Sequence, residues 1–432
     1  MGFQQGLSGL NISSKSLEVI GNNVANANTY GAKASRAEFS DMYAASLSGG
    51  GSNNIGIGAR IGAVAQQFTQ GNITTTANNL DLAINGRGFF ALKTAQGETV
   101  YSRNGQFKRD AEGYIINNEK HQLLGQALDK TGAPAGPAGY PIQLTNDSSP
   151  PQAATSINMT ANLKASASLP SNNATTGGIS LDDSKSYNFV TPQTIYGTKG
   201  APVAVNYYFR KTQDANPATT PVTNAKWEVY MSADGNTNAA SVSKDATTGY
   251  PLPVTTLEFN SSGKVISGGT FTITDFPGGD NGANFPTLGL DLTNVTEYAG
   301  SYAVTDLSGG GYAEGNLSDF IIETDGTVKA RYTNGQSKSI ARVQLADFKN
   351  LNGLQPVGNN EWKPTNSSGE PLPLGAPGSG VYGLLQAGAL EESNVDLTGE
   401  LVNMIVAQRT YQANAQTIKT EDQVLQTLVN LR

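Results

Sequence analysis

The side chains that most hydrolases and metalloenzymes recruit are scarce in this sequence. Across 432 residues there is one histidine, His121, and there are no cysteines. A serine-type triad needs a histidine as base, and tetrahedral zinc sites draw on histidine and cysteine. His121 stands beside Gln122 and Leu123 in a β-prone stretch, where it reads as an incidental surface or turn residue. Gly378-Ser379-Gly380-Val381-Tyr382-Gly383 matches the G-x-G-x-x-G spacing of a dinucleotide loop, and Glu400 follows about 20 residues later. That fingerprint works between a buried strand and the helix of a βαβ unit. Here a Pro-rich loop precedes it instead. The carboxylates Asp182-Asp183 and Glu391-Glu392 are adjacent in sequence, so their side chains diverge. They read as solvated surface rather than as an acid/base pair. The residues therefore predict no catalytic, cofactor-binding or metal-binding group, and no enzyme.

Periodicity at the two ends carries more information. From Leu397 onward, Leu397, Met404, Tyr411, Ile418 and Leu425 recur at heptad spacing. Leu401, Gln408, Ala415, Asp422 and Val429 fill the half-steps. This predicts a helix with one coiled-coil-like stripe. Val402, Val406, Leu428 and Leu431 lie off the stripe and give the helix a second partly apolar face. Ser393 and Asp396 read as a capping box at its start. The N-terminal segment repeats the pattern more weakly with Phe3, Leu7, Leu10, Leu17 and Val24. Ser14 and Gly21 fill its gaps, and Gly31 stands as the stop just past the helix.

Between these helices the pattern becomes β. Leu80 to Ile84 alternates as a strand, and Val203–Phe209 and Lys226–Met231 are further strand candidates. Asn104-Gly105, Asp325-Gly326 and Asn334-Gly335 read as hairpin turns. Polar residues crowd 149–185, and Gly and Pro crowd Pro364–Gly380, marking linkers. The expected fold is multidomain, with terminal coiled-coil-like helical segments and nested all-β domains built from discontinuous chain segments. The expected divisions are a helical core of 1–30 with 395–432 and extended connecting segments at 31–70 with 361–394. An inner β domain would comprise 71–148 with 290–360, and an outer β domain 149–289.

Composition narrows the class. No run of about 18 apolar residues exists, so no membrane insertion is expected. Met1 to Ala27 lacks the basic start and apolar core of a cleavable signal. A net charge of −7 argues against nucleic acid, and a 15% share of charged residues lets copies of the chain pack with little repulsion. The absence of cysteine fits export as an unfolded thread, and it fits chance equally well. Two amphipathic helices at opposite ends suggest that the termini meet. They either form an intramolecular hairpin alone or also seal against other copies, with Leu7, Leu10, Leu17, Val24, Leu397, Leu401, Met404, Tyr411, Ile418 and Leu425 as subunit-interface residues.

The ends also carry specific motifs. Gly21-Asn22-Asn23-Val24-Ala25-Asn26-Ala27-Asn28-Thr29, Leu80 to Phe90 (LDLAINGRGFF), Tyr101 to Phe107 (YSRNGQF) and Gly388 to Arg432 resemble the bacterial flagellar rod and hook proteins, the hook-type members above all. The resemblance covers most of 1–110 and 320–432. It implies terminal helices at the centre of a tube, export by the flagellar type III apparatus without signal cleavage, and an extracellular, flexible joint between rod and filament. The implied partners are copies of itself, the distal rod, the hook cap, the hook-filament junction proteins and the export apparatus, with no cofactor. After Gly31 the family commonly has a bulky aromatic. Ala32 stands there in this chain, so the resemblance assigns that position no anchoring role. A distal rod subunit is the alternative within the class, although such proteins are shorter and lack the outer insertion. A secreted β-rich adhesin is the alternative outside it, but an adhesin has no need of heptad stripes at both termini.

Overall fold

The computed structural model describes residues 2–42, 56, 58–129, 131–170, 179–180, 183–216, 223–233, 252–278 and 283–430. Asp182, Leu431 and the side chain of Leu428 lie outside the described residues. The chain divides into two compact units. The first is Met1–Asn146 with Ser318–Arg331 and Ser337–Arg432, and the second is Asp147–Leu317 with Tyr332–Gln336.

In the first unit, helix α1 (Gly2–Ala25) lies antiparallel to helix α2 (Leu397–Asn430), with Gly6 opposite Ile418 and Gly9 opposite Asn414. Asp396 starts α2. Its carboxylate accepts from the Thr398 amide at 3.0 Å and its carbonyl from the Glu400 amide at 2.9 Å. The cap is therefore Asp396 alone, one turn after the start of the expected box, since Ser393 Oγ takes only the Val395 amide, at 3.4 Å. Helix α1 ends at Ala25, before the expected stop at Gly31. Gly31 has φ +71° and sits so close to Arg103-Asn104 that a Cβ would fall 2.5 Å from the Asn104 nitrogen. It turns the chain rather than capping the helix.

The stretch expected as an extended connection forms a ribbon, in which β1 (Ser35–Met42) and β2 (Gly58–Gln66) pair antiparallel from Ser35↔Gln66 to Met42↔Gly58. The ribbon is tied to α1 by Ser8 Oγ, which donates to the Ala59 carbonyl at 2.5 Å and accepts from the Ala59 amide at 2.9 Å.

The β part of this unit is a 12-stranded sheet centred on Phe89–Lys93. Strand alternation sends Phe90 and Leu92 into one core, with Leu82, Ile84, Phe107 and Val343. Phe89 and Ala91 enter another, with Tyr101, Phe348 and Trp362. Late segments return to early ones: Leu384–Ala387 pairs with Leu82–Asn85, and Ala389–Glu391 with Ile73–Thr75. This is the expected nesting of discontinuous segments. Asp325-Gly326 closes a hairpin here, with the Glu323 amide on the Thr327 carbonyl, and Asn334-Gly335, within the Tyr332–Gln336 stretch of the second unit, closes another, with the Tyr332 amide on the Gln336 carbonyl. Asn104-Gly105 does not. The Gly105 carbonyl accepts from the Leu82 amide, and a Cβ at Gly105 would lie 1.6 Å from the Leu82 oxygen, so glycine is there for a close backbone crossing.

The described residues of the second unit form two five-stranded sheets. Pro202–Gln213 and Ala225–Ala233, from one sheet, supply Tyr207, Phe209 and Trp227. Ser156–Lys164, Thr270–Gly278 and Ala283–Asp291, from the other, supply Ile157, Met159, Phe276 and Phe285 to the same core. Thr296–Tyr298 and Ala303–Ser308 both pair with Ser156–Lys164. Residues 290–317 thus belong to this unit and not to the inner β domain, and the expected boundary at 290 falls inside a strand.

Candidate assembly interface

The two helices meet through small side chains. On α1 the buried positions are Gly6, Ser13, Ile20 and Asn23. A Cβ at Gly6 would come within 2.9 Å of Ile418 Cγ1, and one at Gly9 within 2.6 Å of the Asn414 amide group. This inward row sits beside the stripe expected from the sequence. Phe3 and Leu7 are exposed, and Leu10, Leu17 and Val24 are half-buried. The physical reason is the close approach, which large residues at the contact would prevent.

On α2, Met404 and Ile418 are half-buried and Ala407 is buried, whereas Leu397, Leu401, Tyr411 and Leu425 are exposed. The off-stripe residues Val402 and Val406 are exposed too, as are Ile405 and Val424, which the heptad count passed over. At 3.6 residues per turn, Leu397, Leu401 and Ile405 line one flank of α2, and Val402, Val406 and Val424 line the other. Helix α1 covers the side between them. A helix that is apolar on three sides is a buried helix, and in the single chain only one side is buried.

Where the helices join the β part, four distant segments are cross-tied through one carboxylate. Glu391, at 0% side-chain exposure, accepts from Lys33 Nζ at 2.6 Å, Arg103 Nη1 at 3.2 Å and the Gly71 amide at 3.0 Å. Lys33 also donates to the Thr69 carbonyl at 2.8 Å, and Arg103 Nη2 to the Gly86 carbonyl at 2.9 Å. Burial holds the Lys33 ammonium and the Arg103 guanidinium below their ordinary pKa values, against the opposing pull of Glu391. Asn394 adds a second tie. Its Oδ1 accepts from the Ala34 amide at 2.7 Å, and its Nδ2 donates to the Gln67 carbonyl at 2.7 Å. Asn23 Nδ2 donates to the Ser35 carbonyl, and its Oδ1 accepts from the Ser35 amide, both at 2.8 Å. Ala32 is buried without a polar role, and its neighbour Lys33 does the anchoring.

Two readings from the sequence change here. Glu391 is not solvated surface but the most enclosed carboxylate of this joint. His121 is not incidental: its Nδ1 lies 2.8 Å from Oε1 of the buried Glu361, which also accepts from Asn117 Nδ2 at 2.8 Å. The glycines of 378–383 form a tight turn, with the Gly378 amide on the Gly383 carbonyl, and the strand Leu384–Ala387 follows where a nucleotide fold would place a helix. The ion-paired joint was missed because Lys33 and Glu391 are 358 positions apart. Its only local sign is the set of motifs around Gly31, Arg103 and Glu391.

Comparison with known families matches residues 3–33 to flagella basal body rod proteins and 83–163 to the flagellar hook protein FlgE/F/G D1 domain. Residues 158–312 match the flagellar basal body protein FlaE D2 domain, and 386–431 the flagellar basal body rod FlgEFG C-terminal region. The flagellar hook protein FlgE of Salmonella typhimurium is 41% identical over 439 residues, covering 100% of both chains. That of Escherichia coli is 40% identical over the same span, and that of Brucella suis 30% identical over 100% of this chain and 98% of its own. The crystal structure of Helicobacter pylori flagellar hook protein FlgE2 shares the fold at TM-score 0.52 and 16% identity, covering 74% of this chain and 100% of that one. With identity of this level running from end to end, the chain belongs to the flagellar hook protein family.

Proposed function

We propose that the chain is a structural subunit that polymerises with copies of itself into the flagellar hook, a curved, flexible tube that works as a universal joint and passes motor torque from rod to filament. The observation that carries this reading is α2, which is apolar on both flanks while α1 occupies only the side between. Each large side chain buried on association contributes on the order of 1.5–3 kcal/mol, enough in sum to drive polymerisation. The subunit-interface residues are Leu7, Leu10, Leu17, Val24, Leu397, Leu401, Met404, Tyr411, Ile418 and Leu425. Met404 and Ile418 contribute by fixing the helix pair, and the exposed members contribute by direct contact.

This reading includes an extracellular place in the flagellum, export through the flagellar type III apparatus without signal cleavage, and contacts with the distal rod, the hook cap and the hook-filament junction proteins. It supports no enzymatic role and no cofactor. Electron microscopy of the purified chain tests the proposal. Tubular polymers are the expected outcome, and a persistent monomer under all polymerising conditions would overturn it.

A further inference from the structure

The two helices are unequal in length, and their pairing leaves one end of α2 uncovered. Gly6 stands opposite Ile418 and Gly9 opposite Asn414. Continuing that antiparallel register, the first residues of α1 face α2 near position 422. Residues 423–430 then project beyond α1 by about eight residues, roughly 12 Å. The projection is apolar on more than one side: Val424 and Leu425 are exposed, and Val429 is 74% exposed. No residue of its own α1 reaches it in this register.

At the opposite end of the same helix pair is a groove of about 340 Å³ between α1, β1 and the first turns of α2. Its walls include Ile12, Val19, Phe39 and Val406. Glu400 lines it as well, with an Oε2 that is buried and makes no hydrogen bond. Such a site takes a helix that brings both apolar side chains and a hydrogen-bond donor. The projecting turns offer both, since Gln423 and Asn430 stand among Val424, Leu425 and Val429.

We infer that the projecting end of α2 in one copy seats in the α1–β1–α2 groove of a second copy. The contact is heterologous, joining the tail of one helix pair to the head of the next, so it repeats from copy to copy instead of stopping at a dimer, and with a rise along the axis it generates a filament. The inference rests on the polymerising role proposed above and specifies which surfaces meet along it.

The chain has no cysteine, so two can be introduced cleanly. Two single variants, Val406→Cys in the groove and Thr427→Cys on the projection, are mixed, polymerised and treated with a short bismaleimide. The expected result is a covalent dimer containing one chain of each kind, formed in tubes and absent from dilute monomer. Ending the chain after Asp422 is expected to raise the concentration needed for tube growth by on the order of 100-fold, while the β units melt unchanged. If tubes form but no mixed product appears, or if the shortened chain polymerises at the original concentration, the pairing is wrong although polymerisation stands. If the unaltered chain forms no tubes, the proposed function falls, and the pairing with it.

Discussion

Replacing Glu391 by alanine removes the carboxylate that Lys33, Arg103 and the Gly71 amide share. It leaves two buried cations facing each other without an anion between them. Breaking a buried ion pair from one side costs about 3–5 kcal/mol. In a unit of this size that lowers the melting temperature of the first unit by roughly 6–20 °C. Lys33→Met is the informative partner. It gives up the contact with Glu391 and the bond to the Thr69 carbonyl but leaves Arg103 and Glu391 matched one to one, so it costs less than Glu391→Ala, about 1.5–3 kcal/mol.

The two variants also differ in alkali. Burial holds Lys33 below its ordinary value of 10.5. Between that lowered value and 10.5 the unfolded chain binds more protons, so the parent's stability rises with pH in that window. Lys33→Met abolishes the rise. Differential scanning calorimetry of unassembled chain from pH 7 to 11 reads both effects. A melting temperature for Glu391→Ala within about 1 °C of the parent would refute the claim that this carboxylate holds the joint together.

Other perturbations read other parts of the molecule. Gly6→Leu places a side chain against Ile418, where a Cβ alone already comes within 2.9 Å. It should separate the helices and stop tube formation without changing the melting of the β units, as followed by circular dichroism and electron microscopy. Joining Asn146 to Ser318 removes the 147–317 stretch of the second unit at its observed limits. The chain should still be exported and polymerise, giving straighter tubes with altered swimming by video tracking, and a folded product that cannot polymerise would contradict this. In acid, Asp325 is held below the ordinary carboxylate range: although partial burial pushes it up, the Thr327 amide and hydroxyl and Arg342 outweigh that. Its contribution is complete above about pH 4 and is lost as pH falls through the lowered value, and Asp325→Asn should flatten the acid limb of the melting curve.

Much of the architecture was legible because its signals are local. Asp325-Gly326 and Asn334-Gly335 announce their hairpins, and Leu397–Val429 announces a long helix. The errors share one cause, which is that the deciding partner is remote in sequence. The heptad count on α1 chose its large residues, whereas the fold chose Gly6 and Gly9 because Ile418 and Asn414 must come close. Gly105 looks like a turn glycine until Leu82 crosses it. Residues 290–317 carry the same strand pattern as their neighbours on both sides, so only their pairing with Ser156–Lys164 assigns them to the second unit. Glu391 looks solvated beside Glu392 until Lys33 and Arg103 arrive from the other end of the chain.

On the proposed function, the uncovered flanks of α2 are the surfaces that join copies. A density map of the assembled tube at side-chain resolution tests it most directly. Leu397, Leu401, Ile405, Val402, Val406 and Val424 are expected to be buried against helices of neighbouring copies, with α1 and α2 paired through Gly6 and Gly9 as in the single chain. A tube in which those side chains face open solvent, held together only through residues 147–317, would contradict it.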